Sequence, residues 1–347
     1  MPNKMLSKKI KEILDICVAS SFPGKTNDHP IIVLNAIKNI IGDNRVEPSK
    51  KLLEFSEKKA HEFPARTDDQ DILVEAAKDG VGLTIFVSDL EDACQSGIPE
   101  EIERQAARLQ WVSDNGLGGL EALVEVSLQD FERLGTFAFH LLRSNIFNRD
   151  IKNTWPYTRC LLKEISKKPL PEPHDYNEIE CDLIKSENEL QIIDQCSAHR
   201  LWNGNYVRSL GYKREISHWI KHQEIIEYIE NEEKISSNLQ DYYDNGGNFF
   251  IEIAEDLIDN DQDIIFWTEG ISPSSLGGKE FVYVITMEDD NPVGIIGKAL
   301  DPIPSLAQGK YQKSFFWKNP NKGCDYNDFV VGLLTYMSYG ASGSLNV

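Results

Sequence analysis

Apolar side chains return every three or four positions through the first half of the chain. Ile10, Ile13, Leu14 and Cys17 alternate with Lys11, Glu12 and Asp15, which predicts an amphipathic opening helix. Ile31, Val33, Leu34, Ile37, Ile40 and Ile41 repeat the spacing, and Pro30 suits the first position of that helix. Pro48 opens a segment carrying Leu52, Leu53 and Phe55 that stops at Phe63–Pro64. Thr67-Asp-Asp-Gln70 has the form of a capping box ahead of Ile72, Leu73, Ala76 and Ala77. Residues 83–94 form another apolar stripe, and Pro99-Glu-Glu begins a charged helix with Ile102, Ala106, Leu109 and Val112. After a glycine-rich turn at 114–119 comes the longest predicted helix. It carries Leu120, Leu123, Val124, Leu128, Phe131, Leu134, Ala138, Leu141 and Leu142 on one face. Short loops between such helices imply antiparallel neighbours.

The pattern breaks at residues 167–180, where Pro169, Pro171 and Pro173 forbid a helix and favour an extended strut. Helical spacing resumes over 187–242, with an interruption at Asn203-Gly-Asn. The period then shortens. The runs 249–253, 264–267, 280–287, 293–296, 313–316 and 329–334 are rich in Ile, Val, Phe and Tyr and bounded by Gly, Asn, Asp and Pro, as strands are. The expected fold class is therefore α+β. A helical bundle domain over 1–166 and a Pro-rich linker over 167–180 lead into an α+β domain over 181–347. That domain has helices over 187–242 and a small, mostly antiparallel sheet with strands over 248–336.

A chain of 347 residues is long enough for two ordinary cores, and 41% hydrophobic with 27% charged residues is a globular composition. Net charge changes the picture more. At -20 the surface repels a phosphate backbone, and the basic clusters at Lys8–Lys9 and Lys167–Lys168 are too short to make a stripe, so nucleic acid is not an expected partner. The acidity favours cationic partners, divalent metal or solubility. The amphipathic opening is not a signal-peptide core, and no run approaches the roughly 18 apolar residues of a membrane span. Folding in the cytoplasm is expected, with signal-independent export leaving no mark. Six scattered cysteines without a Cys-x-x-Cys pair suggest buried thiols in a reducing compartment.

Several constellations carry candidate chemistry. Gly24-Lys25-Thr26 fits a permissive phosphate-loop pattern, but an amphipathic helix, not a strand, precedes it, so no nucleotide is expected. Cys196-Ser-Ala-His199 and His218-Trp-Ile-Lys-His222 are each spaced to present two ligands on one face, and tetrahedral zinc would use all four; the competing reading makes Cys196 a core thiol and the histidines the flanks of Trp219. Glu121 and Glu125 stand four apart on the longest helix and read as its solvated flank. The acidic run 256–263 alternates like the start of a calcium loop but lacks the later glycine and glutamate. The acidic turn at 288–292 reads as an ordinary hairpin.

Near the end of the chain, Gly323-Cys-Asp325-Tyr-Asn327-Asp328 packs three oxygen-bearing side chains into four positions after an aromatic run. Hard cations want such clustered carboxylates and amides beside a glycine. The segment resembles the closing motif of a bacterial β-sandwich family, Gly-Asp-x-Asp-[Tyr/Phe]-Asn-Asp-x-Val, with matches at Asp325, Tyr326, Asn327, Asp328 and Val330. The resemblance implies calcium on Asp325, Asn327 and Asp328; a tight turn shaped by the same residues is the plainer alternative. The function that follows is a binding protein for a protein partner, with a calcium-ordered loop in the β-domain. The alternative is a zinc-dependent hydrolase or toxin-like effector built on Cys196, His199, His218 and His222.

Overall fold

The computed structural model describes residues 3–78, 85–113, 116–148, 154–177, 194, 197–198, 200–223, 251, 255, 258, 263–269, 281–288 and 291–299. Helix α1 (Asn3–Val18) buries Leu6, Ile10, Ile13, Leu14 and Cys17 along one stripe. Helix α2 (Pro30–Asp43) starts on Pro30, and the His29 ring caps it by accepting the Ile31 N–H at 3.1 Å. Its residues Ile31 to Leu34 are all buried, as are Ala36, Ile37, Ile40 and Ile41, and the polar Asn35 and Lys38 are enclosed with them, so the helix lies inside the body. Ser49 caps α3 (Lys50–Ala60) through the Leu52 N–H.

Helix α4 (Asp69–Lys78) begins one residue after Asp68, whose carbonyl accepts the Ile72 N–H. Asp68 and Asp69 turn their carboxylates toward Arg159. Helix α5 (Val87–Ser96) closes on Gly97, whose φ of 69° needs glycine, and α6 (Pro99–Val112) starts on its proline. The predicted longest helix is two. Helix α7 (Leu117–Ser127) begins after Gly116, and a 3-10 turn at Leu128–Asp130 separates it from α8 (Phe131–Phe147). Helix α8 packs against α2, α7 and α9 (Thr154–Ile165) and forms the centre of the core.

The proline-rich segment lies on this body. The Leu170 N–H donates to the Cys94 carbonyl at 3.2 Å, and Pro169 sits over Gly97. Helix α10 (Ser209–His222) packs against α7 and α8. Cys17, Cys94 and Cys160 are buried free thiols.

The α+β expectation is corrected. The described residues are mainly helical, and among them no separate β-domain is seen. Ile251, in a run expected to be a strand, is helical. Among the described residues, extended pairing beyond one isolated bridge is confined to a single antiparallel meander of β1 (Asp263–Glu269), β2 (Phe281–Glu288) and β3 (Asn291–Ala299), with β1 beside α2. β-Branched runs report local preference for extended backbone; they do not report whether enough of them stack to enclose a core. The runs 313–316 and 329–334 lie outside the described residues.

Candidate functional site

Glu121 and Glu125 face α10, not solvent, and are only 5% and 3% exposed. The solvated-flank reading of these two residues is therefore wrong. Their burial is compensated one hydrogen bond at a time. Glu121 Oε2 accepts the Val207 N–H at 2.8 Å, and its carbonyl accepts the Tyr212 hydroxyl at 3.1 Å. Glu125 accepts Arg208 Nε, and Arg214 Nη2 reaches its other oxygen at 3.5 Å. A buried carboxylate left without such partners would cost several kcal/mol, by order of magnitude. Gly211 makes the approach possible, because a Cβ there would stand 1.9 Å from Glu125 Oε1. Glycine inside a helix costs about 1 kcal/mol relative to alanine, and the close carboxylate explains why one stands here.

Arg214 ties in two further acids. Its Nε donates to Glu215 Oε1 at 2.7 Å, and Nη2 lies 3.9 Å from Glu91. Burial works against the Arg214 charge, but the Glu215 hydrogen bond and the surrounding carboxylates outweigh it and raise the guanidinium above its usual value. Glu91 is raised, chiefly by burial, with Glu125 and Glu215 adding to the shift against the opposing pull of Arg214. Three carboxylates, Glu91, Glu125 and Glu215, thus share the guanidinium groups of Arg208 and Arg214.

Above this floor opens a cleft of about 510 Å³, lined by Glu125, Tyr176, Val207, Arg208, Leu210 and Arg214, with Gly211 at its back. Val207 is 88% exposed and Leu210 83%, and Tyr176 joins them on the rim. Tyr176 is held there by the proline-rich segment. The His174 ring donates from Nδ1 to Glu215 Oε2 at 2.7 Å, and the Asn177 N–H donates to Ser217 Oγ at 3.0 Å. None of Arg208, Arg214, Glu215, His174 or Tyr176 was marked by a sequence motif.

Of the four zinc candidates, His218 and His222 stand on the last turns of α10 with ring centroids 4.2 Å apart, and His174 stacks on His218 at 3.5 Å and 8°. Cys196 and His199 lie outside the described residues, as do Asp325, Asn327 and Asp328 of the calcium motif. Among the described residues, no group of three or more His, Cys, Asp and Glu side chains is placed to hold one metal ion. Gly24-Lys25-Thr26 follows α1 and leads into a 3-10 turn at Thr26–Asp28.

A second, smaller cavity of about 240 Å³ is lined in part by His29 and Cys160, which spacing alone could not pair. Cys160 Sγ lies 3.4 Å from His29 Nε2. Because His29 Nδ1 accepts a backbone N–H, it carries no proton, and the ring proton sits on Nε2 facing the sulfur. That tautomer cannot take a proton from the thiol. Burial pushes Cys160 up to about 12 and His29 down to about 3, so both stay neutral, as structural neighbours do.

Compared with protein families, characterised proteins and solved structures, the chain matches none. Among the described residues, no helix is long and apolar enough to cross a membrane.

Proposed function

We propose that the protein is a binding module whose cleft between α7 and α10 receives a segment of a partner protein carrying a large apolar side chain next to a lysine or arginine. The observation that carries this reading is the exposed pair Val207 and Leu210 on the rim of the cleft, in a chain whose net charge is -20. Two exposed aliphatic side chains three positions apart offer an apolar seat. The net charge of -20 steers basic segments toward the molecule from a distance.

Selection from a displayed random-peptide library on the immobilised full chain tests this. The expected winners carry one large apolar residue within two positions of Lys or Arg, and they lose binding to the Val207→Asp/Leu210→Asp variant. Winners that are acidic, or that bind wild type and variant alike, would contradict the proposal.

A further inference from the structure

The far end of α10 carries an arrangement that the cleft does not use. His218 and His222 stand one helical turn apart, the spacing at which two imidazoles on a helix can reach a shared ion. His174 comes from the proline-rich segment and lays its ring on His218. Two of the three tautomers are dictated by acceptors that cannot donate. The Glu215 carboxylate, fully buried, takes the proton of His174 Nδ1, and the His218 carbonyl takes that of His222 Nδ1 at 2.8 Å. Each of these rings therefore keeps its Nε2 unprotonated, with a free lone pair. An imidazole fixed by a carboxylate or carbonyl on its far nitrogen is oriented as metal-binding imidazoles are.

The rings do not share an ion as they lie. A metal sits in the plane of each imidazole it binds, and the faces of His174 and His218 are parallel and 3.5 Å apart. Loading therefore requires His218 to turn out of the stack. His222 is exposed and His174 keeps 21% of its side-chain surface, so solvent and ions have access. Lys221 stands beside the cluster, but its ammonium is engaged by Asn177 Oδ1 at 3.0 Å.

We propose that His218 and His222, with His174 as third ligand, bind a divalent cation of the zinc–copper class, and that the stacked rings are the unloaded state of this site. Imidazole nitrogen suits zinc and copper and does not suit calcium or magnesium. Glu215 is a positioning residue that keeps His174 Nε2 unprotonated.

The test is isothermal titration of the untagged full chain with zinc chloride and, separately, with copper chloride, in a non-coordinating buffer at neutral pH. Wild type is expected to bind one ion per chain. His222→Gln, at an exposed position, is expected to weaken binding by at least about tenfold, and Glu215→Gln by about tenfold through His174. His61→Gln, at the end of α3, should leave it unchanged. No saturable binding of either metal to wild type would overturn the proposal. So would a His222→Gln variant that binds as wild type does, or a loss caused by His61→Gln. If Glu215→Gln fails to fold, the His222 variant decides.

Discussion

Two regions of this molecule gather acids around arginine, and they differ in one respect. At the junction of α4, α6 and α9, Arg159 is 0% exposed and donates to Asp68 at 2.7 Å, Asp69 at 2.6 Å and Glu103 at 2.8 Å. Arg66 holds Asp69 from the other side, and the Trp155 indole donates to the Asp69 carbonyl. This knot is closed over its cation: both terminal nitrogens of Arg159 are spent on joining three helices, and only its buried Nε finds no acceptor among the described residues. Between α7 and α10 the same side chains occur, but Arg208 and Arg214 keep 37% and 30% of their surface, and an apolar rim stands above them. Enclosed, such a cluster fixes helix positions. Opened to solvent beside aliphatic side chains, it is the cluster to which the proposed binding is assigned.

The sharpest way to break the comparison is at Arg159. Arg159→Ala removes a fully buried side chain and leaves Asp69 to Arg66 and Glu103 to Lys163, and a loss of roughly 3 kcal/mol is expected in chemical denaturation. The equivalent change at the cleft, Arg208→Ala, should cost less, because solvent reaches the Glu125 partner's side of the pair.

Acid offers the next test. His29 has a folded value of about 3 against an ordinary 6.5, chiefly because burial disfavours the charged ring, with Lys167 and Arg66 adding to it. A depressed value means that the contribution to stability is complete above pH 6.5 and is lost as pH falls toward 3. Buried His140 shifts in the same direction, again by burial, with Lys38 and Arg143 adding to it. Stability should therefore fall on acidification by about 1.4 kcal/mol per pH unit for each ring protonated on unfolding. Denaturation midpoints across this range measure the slope. His29→Asn, which keeps a capping side chain, should flatten it.

Gly211→Ala is expected to cost about 1–3 kcal/mol, because the added methyl displaces the Glu125 carboxylate. An unchanged melting temperature would mean that Glu125 has room to move. The smallest expected effect on stability belongs to Val207→Asp/Leu210→Asp, within about 0.5 kcal/mol per site, since both side chains already stand in solvent.

Much of the helical body was legible in the pattern of apolar residues. The stripes of α1 and α2 are buried as expected, as are Ile102, Ala106 and Leu109 of α6, whereas Val112 at the end of that stripe is exposed; Pro30 and Pro99 sit where those helices begin. The break between α7 and α8 was not legible, because Leu128 and Phe131 keep helical spacing through a 3-10 turn whose i→i+3 bonds deviate little from it. The capping box at Thr67 marks the start of α4 to within two residues, but not what its acids do. Asp68 and Asp69 are claimed by Arg159, some 90 positions on, and no local pattern records so distant a partner. The same holds at the cleft. Arg208 lies 83 positions beyond Glu125, so the spacing of Glu121 and Glu125 on one helix could be read but not what covers them. One signal was present: Gly211 interrupts an amphipathic helix whose Leu210 faces solvent, a combination that costs helix stability without a packing return.

The central claim is that the apolar rim over the α7–α10 floor is a seat for a basic, apolar segment. Fluorescence anisotropy with one library-selected peptide measures it most directly, comparing wild type with Val207→Asp/Leu210→Asp at matched thermal stability. Loss of binding in the variant is expected, with weakening of wild-type binding as salt screens the net negative charge of the chain. Equal affinity of the two proteins for the peptide, unaffected by salt, would contradict it.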